Sequence, residues 1–130
     1  LIKEKNSGIY YELNELKNKI SCSFIESLES KNSQFNSILI KEVLKKNNLN
    51  VDSLFIVKGS NNSERNIIDL LFLNLKVQSC EIDQIPELQN DKRIILLIEE
   101  GEITKKDIAL INKYSKIYPD KFIGWFFLPH

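Results

Sequence analysis

Two cysteines, one histidine and four glycines in 130 residues leave little material for the commoner catalytic or metal-binding constellations. Cys22 and Cys80 lie far apart and neither belongs to a CxxC pair, which argues against a redox motif or a structural zinc site. Both are expected to be small apolar core residues with free thiols. A chain of this size without a disulfide framework points to an intracellular, cytoplasmic setting. His130 is the last residue, a position better suited to a disordered or appended end than to a ligand or base. Charge of one sign is not in excess, because eighteen basic residues balance eighteen acidic ones. That balance removes any global attraction to nucleic acid or to an anionic membrane, and no block of five like charges suggests an interaction tail. No apolar run approaches the ~20 residues needed to span a bilayer. The start, Leu-Ile-Lys-Glu-Lys, lacks the apolar core of a signal peptide, and a first residue other than Met reads as a trimmed chain or part of a longer one.

What is present suits a single domain over residues 1–130. Hydrophobic residues make up 42% of a 15.2 kDa chain, enough for a real core. Ile9, Leu13, Leu16, Ile20, Phe24 and Leu28 recur at spacings of three and four, which predicts one long amphipathic helix. Ser30 to Asn36 breaks the pattern. Phe35, Ile38, Leu39, Val43 and Leu44 predict a second helix, closed by Lys45-Lys46-Asn47-Asn48, where cations meet exposed carbonyls and Asn tolerates a left-handed turn.

From Ser53 the period changes. Leu54 to Val57 is a short apolar run stopped by Lys58-Gly59, as expected of a strand buried on both faces. Asn61 and Glu64 stand at capping-box spacing ahead of a helix carrying Ile67, Ile68, Leu71, Phe72 and Leu75. Lys76 to Asp83 predicts an edge strand, Ile85 to Leu88 a loop or single turn, and Ile94 to Ile98 the central strand. Thr104 and Asp107 open a further helix, and Phe122 to Leu128 makes the last strand. The predicted fold is a flavodoxin-like three-layer α/β domain with a mostly parallel four-stranded sheet. Counted from Ser53 its order is 2-1-3-4, and the helical pair of residues 1–50 packs on it.

Open parallel sheets bind ligands beyond the carboxyl ends of their strands, where the connections diverge. That crevice would lie between the loop of Lys58, Gly59, Ser60, Asn61 and Ser63 and the loop of Glu99, Glu100 and Glu102. The first loop suits an anion, though it has neither GxGxxG nor GxxxxGK[ST] spacing. The second offers three carboxylates to a metal or a proton. Phe122, Trp125, Phe126 and Phe127 put four of the chain's twelve aromatics into six positions. Strict alternation would send Phe122, Gly124 and Phe126 to one face and Ile123, Trp125 and Phe127 to the other. Phe122, Trp125 and Phe127 are therefore candidates for an aromatic interaction surface.

The run Leu54 to Gly59, with Glu64, Leu70-Leu71 and Leu75-Lys76-Val77, resembles the opening βαβ of bacterial TIR-like nucleotide-binding domains. The resemblance covers about thirty residues and implies nucleotide or anion binding near Lys58. Lys58-Gly59 with Glu99-Glu100-Gly101-Glu102 resembles, more distantly, the strand ends of Toprim domains, which implies divalent-metal phosphoryl chemistry. Lys58 stands where that family has an acid. No complete catalytic set is present and no cofactor is implied. The residues point first to a non-enzymatic protein-interaction or regulatory module working with a protein partner or a second copy. A nucleotide- or anion-binding domain is the alternative, and a metal-dependent phosphoryl-transfer or nuclease domain a second one.

Overall fold

A computed structural model describes residues 11–59, 67–73 and 75–129. Among them, helix α1 (Leu13–Lys19) is followed by strand β1 (Phe24–Ser27) and helix α2 (Ser33–Lys46). Strand β2 (Leu54–Lys58), helix α3 (Ile67–Leu71), strand β3 (Gln78–Glu81) and strand β4 (Arg93–Glu99) come next, then helix α4 (Lys105–Ile117) and strand β5 (Phe122–Leu128). The strands form one parallel five-stranded sheet in the order β1-β5-β4-β2-β3.

The whole sheet has one strand more than expected, and hence another order, because the first long helix does not exist; the strands after Ser53 keep the expected relative order 2-1-3-4, as β3-β2-β4-β5. The chain leaves α1 at Ile20, whose backbone is extended (φ −97°, ψ 121°), and Phe24–Ser27 becomes an edge strand on β5. Ser21-Cys22-Ser23-Phe24-Ile25 is a run of poor helix formers, while Phe and Ile favour strands. The helical spacing of Phe24 and Leu28 continued that of α1 by coincidence. Pairing with β5 decided the outcome.

The two sheet faces carry separate layers. Ile94, Leu96 and Ile98 of β4 pack with α1, α4 and the 3₁₀ turn Ile82–Glu87. Ile95 and Leu97 face α2 and α3. Both sets are essentially closed to solvent, and each such side chain contributes roughly 1.5–3 kcal/mol on burial. This is the alternation of a central strand covered on both sides, as the unbroken apolar run of β4 predicts.

Local signals set most boundaries. Asn32 caps α2 by accepting from Phe35 N at 3.0 Å. At its other end Asn48 takes φ 54° while Leu49 N donates to Leu44 O at 2.9 Å. Buried Asn36 joins the layer outside β2 to the start of α2, donating to Glu29 O and Leu71 O and accepting from Glu29 N. Thr104 and Asp107 form a reciprocal capping box for α4: Asp107 N donates to Thr104 Oγ1 at 3.0 Å, and Thr104 N to Asp107 Oδ2 at 3.2 Å.

In β5 the pairing slips by one residue. Ile94 faces Phe122 and Ile95 faces Gly124, so Ile123 is an extra residue in a bulge. The bulge returns Phe122 to the face of Trp125 and Phe127, against the strict alternation expected from sequence.

Candidate functional site

The divergence of connections falls between β2 and β4. The chain leaves β2 for α3 on one face of the sheet and leaves β4 for α4 on the other. Lys58 and Glu99, at the ends of these strands, are each 8% exposed, and Asp107 at the start of α4 is fully buried. Asp107 Oδ2 sits so close to Gly59 that a Cβ there would approach it to 2.9 Å. The capping carboxylate thus occupies ground that a ligand would need. The crevice lined by Val57, Gly59, Ile82, Glu99, Glu102 and Ile103 has a volume of about 10 Å³, room for roughly one water. Ser60, Asn61 and Ser63 lie outside the described residues, as does His130.

The three glutamates at the end of β4 and just after it belong to a tight turn. Glu102 N donates to Glu99 O at 3.0 Å, and Glu100 N to Leu128 O at 2.9 Å, which anchors the turn to the end of β5. Among the described residues no group of three or more His, Cys, Asp or Glu side chains could hold a metal ion, so Glu99, Glu100 and Glu102 are not gathered for one.

The aromatic strand is interior. Trp125 is 0% exposed and Phe127 5%, so neither can present a face to a partner. Strand β1 covers the edge that the four-stranded reading left open. Phe24 of β1 meets the Trp125 ring edge-on, with centroids 4.9 Å apart, and the indole Nε1 donates to Cys22 O at 3.1 Å. Of the three residues expected on an aromatic surface, only Phe122 is partly exposed.

Phe122 opens onto a different feature. A groove of about 990 Å³, open to solvent, runs between the second half of α4, the segment Ser21 to Ser23 and the first residues of β5. Cys22, Phe122 and Ile123 are half-buried in it, and Ile117 on its wall is 52% exposed. Polar bonds hold the two walls together: Ser21 N donates to Asn112 Oδ1 at 2.9 Å, and Asn112 Nδ2 to Lys19 O at 2.8 Å. Ser115 Oγ donates to Asn112 O at 3.1 Å, so its contact with Ser21 Oγ at 2.8 Å is donated from Ser21. One wall of the groove is thus the helix α4 and the other the connection from α1 to β1, tied to each other by these bonds. Lys113 and Lys116 line it, and among the described residues no carboxylate does so.

The two thiols are half-buried, not part of the closed core as expected. Burial pushes each up to about 11, with Asp83 and Glu81 adding to the effect at Cys80. Both stay protonated near neutral pH and are weak nucleophiles there.

Sequence reasoning missed Lys113, Lys116 and Ile117 as site residues, because periodicity gave them only as parts of a helix. One signal was available. Every exposed charge of α4 (Lys105, Lys106, Lys113, Lys116) is basic, and its single acid, Asp107, is buried. Among the described residues no helix is long and apolar enough to cross a membrane. No protein-family model matches the chain, no curated protein matches it significantly, and neither does any solved structure.

Proposed function

We propose that the chain is a protein-interaction or regulatory module, a flavodoxin-like scaffold that receives a segment of a partner protein in the groove between α4 and the approach to β1. The observation that supports this reading is the contrast between the two ends of the sheet. Among the described residues the cavity at the carboxyl ends of β2 and β4, home of ligands in open parallel sheets, has room for about one water, and the capping Asp107 lies against Gly59 beside it. The groove has the size of a ligand site and mixes half-buried apolar residues with a polar rim. The same contrast weakens the nucleotide and metal readings of the Lys58 and Glu99 loops.

Selection of random phage-displayed peptides on the full chain tests the proposal. Enriched peptides should bind the Ile117→Gln variant about tenfold more weakly, since Ile117 is a large hydrophobic side chain of the groove wall that lies exposed. Replacing so exposed a residue should change stability by no more than about 0.5 kcal/mol, so a loss of binding reports on the surface itself. Peptides that bind the variant and the natural chain equally, or no enriched peptide at all, would contradict it.

A further inference from the structure

We infer that the groove selects an acidic segment, one in which Asp or Glu residues flank a large apolar side chain. The inference rests on the interaction reading and adds the chemistry of the partner. Its basis is the charge of the groove in a chain that is neutral as a whole. The protein carries eighteen charges of each sign, yet among the described residues Lys113 and Lys116 are the only charged ones lining this groove. They lie three positions apart on α4, which brings them to neighbouring points on one helix face. Asp120 is exposed on the nearby turn but is not part of the lining.

The alternative use of Lys116 is local. It lies in the last turn of α4, where a cation offsets the exposed carbonyls. Lys113, a turn earlier, has less of that role, and the two together set a positive rim beside an apolar floor. Half-buried Phe122 and Cys22 supply that floor, and exposed Ile117 extends it on the wall. An anion alone would leave these residues wet, and an uncharged apolar segment would leave the ammonium groups unmatched. A segment carrying both features satisfies both walls. Such rim charges set selectivity and the rate of encounter more than total affinity.

The test uses three fluorescein-labelled peptides on one apolar frame: Glu-Asp-Leu-Phe-Glu-Asp, its Gln/Asn counterpart and its lysine counterpart. Fluorescence anisotropy with the full chain should rank the acidic peptide first. The double variant Lys113→Glu/Lys116→Glu should weaken the acidic peptide by about tenfold or more and favour the lysine peptide, since two exposed attractions become repulsions. Raising the salt concentration should narrow the difference between peptides. Equal binding of the acidic and neutral peptides would overturn the inference while leaving the interaction reading in place. So would displacement of the acidic peptide by an oligouridylate of the same charge, which would mark a general polyanion site. If none of the three binds while phage selection yields groove binders, the acidic preference falls alone. If selection also yields nothing, both readings fall.

Discussion

Trp125→Ala is expected to destabilise the chain by about 3–5 kcal/mol, the usual cost of emptying a large aromatic site in a core. The indole is fully closed to solvent between α1, β1 and β4, so the surrounding atoms cannot easily collapse into the space. Two specific contacts add to the burial term. The edge-on contact with Phe24 is lost, and Cys22 O loses the indole donor it accepts from. In a domain whose net stability is about 5–15 kcal/mol, this is from about a fifth to the whole of the total. For a chain of this length the melting temperature should fall on the order of 10–15 °C. Trp125→Phe keeps most of the volume and loses the hydrogen bond, so its cost should be closer to about 1 kcal/mol. Denaturant unfolding of the three proteins measures the series. A Trp125→Ala loss below about 0.5 kcal/mol, the usual effect of a surface change, would place the ring outside the core.

Gly124→Val should cost about 3 kcal/mol or more, by crowding instead of by loss. A Cβ at position 124 would lie 2.5 Å from Ser23 O and 2.8 Å from Ile25 Cγ1. Ser23 O is not free to move, because it accepts from Trp125 N at 2.9 Å in the first rung of the β1–β5 ladder. Any side chain at 124 therefore forces β1 away from β5. The damage should be local in its first stage: amide exchange in residues 24–27 should accelerate while β4 stays protected. Gly124→Ala should show the same pattern at about 2 kcal/mol. Exchange that speeds up evenly in every strand would show that β1 is not the element displaced.

These two residues mark where the sequence was legible and where it was not. Ile94 to Ile98 could be read as the central strand because five consecutive apolar residues have no other stable place than between two layers. The ends of α2 and α4 were legible for a similar reason, since Asn48 and the Thr104–Asp107 pair act within a few residues of themselves. β1 was not legible. Its residues continue the spacing of α1, and only β5, about a hundred positions later, gives them a partner. The bulge at Ile123 was hidden in the same way, because it arises from the meeting of β5 with β4 and β1. The aromatic cluster is visible in the sequence, but its burial depends on β1, which is not. The groove, assembled from Ser21 to Ser23 and from Asn112 to Ile123, could not be seen before those segments met. Its basic rim was visible only as a helix with lysine at every exposed charged position.

The central claim is that the aromatic strand lies inside the fold and holds it together. Trp125 is the chain's only tryptophan, so its fluorescence reports on that strand alone. Acrylamide quenching of the native protein tests the claim most directly. Blue-shifted emission with almost no quenching until the chain unfolds is the predicted result, in keeping with a ring that is 0% exposed. Emission at the wavelength of free indole, quenched in the native state as readily as in the unfolded one, would contradict it.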